Sequence, residues 1–203
     1  MVKSIAEPSN MRSRRTRAAL LKAARELLEE KGFDALTMAA VGDRAAVTRR
    51  AVYLHFDTRT ELVMALYDYV GEQEGLAESL ARVWAAPDSL AALDQWARHI
   101  AYYTPKVLRV DREVARIEGA DPDAARHRKF AISNQRANVR RLVRWLADEG
   151  RLAEGWSVDQ AVDMVWALAS PEIVERLHGI RRWPLKKMHE RLAATLRVIT
   201  VDS

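Results

Sequence analysis

Thr48, Arg49, Arg50 and Tyr53 place a hydroxyl, two guanidinium forks and a phenol within six consecutive residues, and His55 and Arg59 continue the run of donors. These groups suit nucleic acid. An arginine fork matches guanine O6 and N7 or a phosphate, a threonine offers a hydroxyl and a methyl for thymine, and a tyrosine phenol is long enough to reach the backbone. Such donors work only if one element shows them all from one side. Thr48 is an N-cap candidate for a short helix over Arg49 to Leu54, and Thr37 is another, followed by Met38, Val41 and Ala45 at helical spacing. Ala45-Ala46-Val47 leaves room only for a tight turn. On the second helix Val47, Ala51 and Leu54 form an inward i, i+4, i+7 set, which leaves Thr48, Arg49, Arg50 and Tyr53 outward. The spacing predicts a helix-turn-helix whose second helix reads DNA. Its candidate contacts are Thr37, Met38, Thr48, Arg49, Arg50, Tyr53, His55 and Arg59, with Arg14 and Arg15 at the start of a bracing helix.

Leu36-Thr37, Ala45-Ala46-Val47-Thr48, Val52-Tyr53-Leu54-His55-Phe56 and Arg59-Thr60-Glu61-Leu62 resemble the DNA-binding domain of the tetracycline-repressor (TetR) family of bacterial regulators. The match runs from about Arg14 to Leu66, and the Tyr-x-His-Phe ending is its most diagnostic part. The resemblance implies an all-α chain, with an N-terminal three-helix helix-turn-helix domain and a C-terminal helical ligand-binding and dimerisation domain. It also implies a homodimer on a pseudo-palindromic operator, most often a repressor, released by a small apolar or amphipathic effector. Three positions depart from the family pattern. Ala46 stands where the family usually has Gly at a positive φ, a conformation that costs a non-Gly residue roughly 1–2 kcal/mol. Gly42 stands where Ala is more usual; it permits close approach of the two helices but costs about 1 kcal/mol of helix propensity. Arg59, in place of the usual Lys, keeps the charge and adds a fork for phosphate. Two other readings stay open at this point: a helical binding or scaffold protein with a vestigial helix-turn-helix, and a TetR-like activator. Steeply salt-dependent, sequence-selective DNA binding separates the scaffold from the rest.

Charge agrees with a reading head at the N-terminus. Residues 1 to 60 hold 12 Lys+Arg against 7 Asp+Glu, so they account for the whole net charge of +5, and the remainder is neutral. An excess of positive charge in one part is the electrostatic footprint expected of a DNA-binding domain. No apolar run approaches the ~18 residues of a membrane span, and the first residues lack a signal-peptide core. With 0 Cys there is neither a disulfide framework nor a thiol metal site. A cytoplasmic protein without membrane association or cofactor is expected.

The elements that hold the reading head follow from the pattern in chain order. Residues 1–12 are polar and aperiodic and predict a flexible basic arm; 13–59 form the helix-turn-helix domain and 60–203 the helical body. From Ser13, the residues Ala18, Leu21, Ala24, Leu27 and Leu28 share a face, and Gly32 is a natural stop. After Arg59 a long helix runs to Trp84 with a bend near Gly71 or Gly75. Ser89 caps the next, with Leu93, Trp96, Ile100 and Tyr103 on one face and Pro105 marking its end, before a further helix from Lys106 to Ile117. Asp121-Pro122 opens another as N-cap and N1 residue, carrying Phe130, Val139, Leu142, Trp145 and Leu146 to Gly150. Ser157 starts a helix with Val162, Val165, Trp166 and Ala169 inward, Pro171 kinks or restarts it, and Leu185 to Val201 is the last. Nothing alternates like a strand.

In the body, Trp96, His99 and Tyr103 at i, i+3, i+7, together with Phe130, Asn134 and Trp166, are candidates to line an effector pocket, although the same aromatics fit plain core. The resemblance implies that the last two hydrophobic patterns pair with their twins. Val162, Trp166, Ile173, Leu192 and Leu196 are candidates for that dimer seam, and intrachain core explains them equally. A C2 dimer makes physical sense, because two half-sites about 34 Å apart multiply the specificity of one short helix. The five His are scattered, with no His-Glu-x-x-His, no phosphate-cradling Gly loop and no Gly-x-Ser-x-Gly. No catalytic residues, no metal site and no enzyme activity are expected.

Overall fold

The computed structural model describes residues 10–201, so the arm expected over 1–12 lies mostly outside the described residues. The described residues form α1 (Met11–Lys31), α2 (Met38–Arg44), α3 (Arg49–Tyr53), α4 (Arg59–Gln73), α5 (Leu76–Trp84), α6 (Ser89–Ile117), α7 (Pro122–Asp148), α8 (Val158–Leu168), α9 (Pro171–Val174) and α10 (Leu185–Thr200). A 3-10 turn, Phe33–Ala35, follows α1, and a π-helical turn, Glu175–Ile180, follows α9. Among the described residues the only strand-like pairing is a single bridge between Leu152 and Val201. The chain is all-α. It forms two compact units, one running to Gln73 and including Arg109–Arg128, the other made of Glu74–Leu108 and the chain from Lys129 onward.

In the first unit, α1 starts at Met11 rather than Ser13, because Asn10 Oδ1 caps it by accepting from the Ser13 N–H at 2.8 Å. Its buried stripe is Leu20, Leu21, Ala23, Ala24, Leu27 and Leu28, whereas Ala18 is exposed. The stripe is therefore centred one residue off the predicted face. Gly32, at φ 77, ends α1 and returns its N–H to the Leu28 carbonyl. Leu62, Val63, Leu66 and Val70 of α4 are buried in this unit. The 109–128 segment is tied into it by polar contacts: Arg109 donates to the Glu29 carbonyl at 2.8 Å, Arg116 pairs with Asp34 at 3.1 Å, and the Thr60 hydroxyl donates to Asp121.

The second unit has a core built on Leu93, Trp96, Leu142, Leu146, Val165 and Met188. The helix expected to run from Arg59 to Trp84 breaks at Gly75, whose φ of 76 suits glycine, and Gly71 stays inside α4. Pro105 does not end a helix. α6 is continuous over 29 residues with Pro105 in its interior. A proline there removes one i→i−4 bond, and buried residues on both sides, Ala101, Val107 and Val110, keep the helix packed through that gap. The cap of α6 is Asp88, which accepts from the Ala91 N–H at 2.8 Å, while the Ser89 hydroxyl donates to Glu149 instead. Asp121, Pro122 and Ser157 sit at their helix starts as the sequence predicts, and Ser157 also closes a capping box with Gln160. Phe130 is 53% exposed, so the inward face of α7 in this core is made by Val139, Leu142, Val143 and Leu146.

Candidate nucleic-acid interface

The interface is built on α2 and α3. Thr37 caps α2, its Oγ1 accepting from the Ala40 N–H at 3.1 Å, and Thr48 caps α3 by accepting from the Ala51 N–H at 3.2 Å. Between them Ala46 takes φ 55, the left-handed conformation that the turn demands and that the departure from Gly makes strained. Val47 then returns its N–H to the Gly42 carbonyl at 2.9 Å. Gly42 is where the helices meet: a Cβ there would lie 3.1 Å from both Val47 O and Val52 Cγ2.

The inward residues of α3 are Val52 and, one turn on, Phe56, both at 0% exposure. Leu54, placed inward by the sequence pattern, is 78% exposed and is corrected to the outer side. The reason is register. Val47 lies in the turn and α3 begins only after Thr48, so a helical period counted from Val47 puts Leu54 on the wrong side. Leu54 therefore joins the outward set and offers an apolar side chain beside the donors, a contact that the pattern missed and that the position of the Thr48 cap could have revealed.

Thr48, Arg49, Arg50 and Tyr53 are all exposed, as the sequence predicts. The Arg49 guanidinium reaches the Tyr53 hydroxyl at 3.3 Å and lies 5.5 Å from its ring, which aligns two of the donors along one edge. Arg14 and Arg15 are exposed on the first turn of α1. The remaining candidates are committed to the scaffold. Met38 is 6% exposed and belongs to the core rather than the rim. Arg59 donates to the Phe33 carbonyl at 2.7 Å and covers that ring at 4.0 Å, so the expected phosphate fork instead clamps the start of α4. His55 is half-buried, and burial, followed by the nearby Arg17 charge, pulls its pKa below the ordinary value. Arg17 itself donates to the His55 carbonyl at 3.0 Å and stacks 4.4 Å over Phe56, fastening α1 to the end of the reading helix. Arg44 does the same for α2 through a two-armed pair with Glu30 at 3.0 and 2.8 Å.

This geometry is matched by a known domain: the family model described as bacterial regulatory proteins, tetR family, covers residues 20–66. Residues 20–66 are a TetR-type DNA-binding domain. The HTH-type transcriptional regulator TtgR of Pseudomonas putida is 36% identical over 78 residues, which cover 38% of this chain and 36% of that protein. The chain thus spans about a third of the length of its higher-identity curated relatives. The HTH-type transcriptional repressor BepR of Brucella suis biovar 1 is 25% identical over 204 residues, covering 89% of this chain and 90% of that protein. A transcriptional regulator from Saccharomonospora viridis, solved in complex with choline, superposes with a TM-score of 0.79 at 13% identity, covering 93% and 99% of the two chains. At that identity the likeness shows the fold. The relatives are named as transcriptional regulators, not enzymes.

In the second unit, three of the predicted pocket residues come together. Trp96 and His99 have ring centroids 5.3 Å apart, and Tyr103 stacks on His99 at 5.0 Å. Trp96 is 1% and His99 7% exposed, His99 Nδ1 bonds Ser79 Oγ at 2.9 Å, and the Trp96 Nε1 is buried without a hydrogen-bond partner. Burial, with the Arg82 charge behind it, pushes the His99 pKa down to about 4, so the imidazole is neutral at ordinary pH. Phe130 and Asn134 are exposed on α7, outside that buried stack, and the half-buried Trp166 donates its Nε1 to Gln135 at 3.2 Å. Of the predicted seam, Val162, Leu192 and Leu196 are corrected to intrachain core, at 0%, 7% and 3% exposure, because α8 and α10 turn those faces into their own unit. The large apolar side chains these helices leave exposed are Met164 at 41% and Val198 at 82%; Trp166 and Ile173 are half-buried.

Proposed function

We propose that this chain is a ligand-responsive repressor that binds a pseudo-palindromic operator as a homodimer and is released by a small apolar or amphipathic effector. The observation that carries the reading is the exposed row Thr48, Arg49, Arg50 and Tyr53 on a capped helix packed against α2. A row of that kind reads base edges in the major groove, while Arg14 and Arg15 supply phosphate contacts that set register. In this reading 13–59 contacts DNA, and 60–203 senses the effector and dimerises. The buried Trp96 Nε1, left without a hydrogen-bond partner beside the His99 and Tyr103 rings, supports an effector site at this stack, since a buried donor calls for an acceptor. A similar repressor by name, and a similar fold solved with choline bound, agree with both halves. The effector need only prefer one state of the dimer to act.

The test is selection of fragments from a random DNA pool by the purified protein at near-physiological salt. Enrichment of an inverted repeat, lost steeply as salt rises, is the expected result. No enrichment across a range of salt, with no effector added, would favour the helical scaffold with a vestigial reading head.

A further inference from the structure

A second concave site is lined by none of the DNA-reading row and none of the buried His99 stack. It is a groove of about 590 Å³, whose lining includes Trp84 from α5 and Arg140, Arg141, Arg144, Trp145 and Asp148 from α7. The volume is in the range of sites for one small organic ligand. Its side chains are largely fixed before any ligand arrives. Arg141 lies 4.0 Å over the Trp84 ring; Arg140 is held by Asp159 of α8 at 2.6 Å. Trp145 donates its Nε1 to Glu149 at 2.7 Å, and Glu149 is itself held by the Ser89 hydroxyl at 2.6 Å and by Arg151 at 3.3 Å. Arg144 is exposed beside them.

We propose that this groove binds a small planar aromatic anion, such as an aromatic carboxylate. Two half-buried indoles supply ring faces, and three guanidiniums with five N–H donors each supply the anion partner. A guanidinium already stacked on an indole extends a flat surface on which an aromatic ring lies, and its free edge still points donors at a carboxylate. Solvated arginines need no indoles beside them. The same guanidiniums repel a cationic ligand, and the groove carries a limit on a larger polyanion: Asp148 lines it and Asp159 sits behind Arg140, so an extended chain of phosphates or carboxylates meets two like charges. A single anion, turned toward Arg141 and Arg144, avoids both. Because both rings and one fork are held in advance, little ordering cost falls on binding.

Isothermal titration of the full-length protein with naphthoate, beside the neutral methyl naphthoate, tests this. We expect saturable naphthoate binding in the sub-millimolar range and affinity for the ester weaker by roughly tenfold or more. Arg141→Gln with Arg144→Gln should weaken naphthoate by at least about tenfold while the thermal melt stays put, since neither side chain is buried. Asp148→Asn should tighten it by about threefold, a gain that misfolding cannot imitate. Equal binding of acid and ester, no effect of the double arginine variant, or binding of polyglutamate in preference to naphthoate would each overturn the proposal.

Discussion

Ala46 sits at φ 55 with a Cβ, in a region where glycine is at ease. Ala46→Gly should therefore stabilise the chain by about 1 kcal/mol in denaturant melts, less whatever the freer unfolded chain takes back; a loss of stability would mean that the turn is not strained. The positive φ was legible from the family resemblance, which has a Gly at this turn position, whereas the spacing alone pointed only to a tight turn. The side of Leu54 was not, because one residue of error in where α3 starts rotates its face by about 100°. For DNA, Arg49→Ala should weaken operator binding by roughly 1–3 kcal/mol, read by fluorescence anisotropy, with the melt unchanged because the side chain is exposed. His99 makes the opposite kind of prediction, one about pH. Its ordinary pKa of 6.5 falls to about 4 on folding. Above 6.5 the imidazole is neutral in both states; below that the unfolded chain takes the proton first, so stability is lost as pH falls from about 6.5 to 4. The loss is of the order of 3 kcal/mol. In His99→Gln the drop in stability between about pH 7 and pH 4.5 should be visibly smaller; equal drops in both proteins would remove the buried neutral histidine.

At the scale of the element, what holds the reading helix is its cap, because α3 is only five residues long. A helix that short has almost no propensity of its own, and its order comes from the Thr48 hydroxyl and from Val52 and Phe56 underneath. Thr48→Ala should cost about 1 kcal/mol and Thr48→Ser only a few tenths, measured by chemical denaturation; equal costs would shift the weight from the cap to the packing. Capping was the most legible part of the sequence: Thr37, Thr48, Asp121 and Ser157 all stand at their helix starts. Proline misled, since Pro105 reads locally as a stop and only the buried residues on both sides of it, a tertiary fact, carry α6 through. Arg59 shows a related effect: it has the sequence look of a phosphate contact, yet it donates to the carbonyl of Phe33, which lies earlier in the chain.

For the whole molecule, hydrophobicity alone could not separate a seam between two copies from the core of one. Val162, Leu192 and Leu196 have the right spacing for either, and the chain buries them itself. That correction moves the proposed dimer face to what α8 and α10 leave outside, above all Val198 and Met164. Val198, at 82% exposure, is the sharper probe, because replacing it disturbs no intrachain packing. A Glu there would place one charge against its symmetry mate at a two-fold seam, where neither water nor a counter-charge offsets it. Val198→Glu should then leave the melt of the monomer fold intact, shift the sedimentation coefficient to that of one chain, and abolish preference for an inverted repeat while weak, salt-sensitive binding of a single half-site survives. The last effect follows because each reading head is complete within one chain and only the pairing of two heads is removed. If the variant sediments and selects DNA as the parent does, Val198 lies off the seam and the dimer, if present, uses another face.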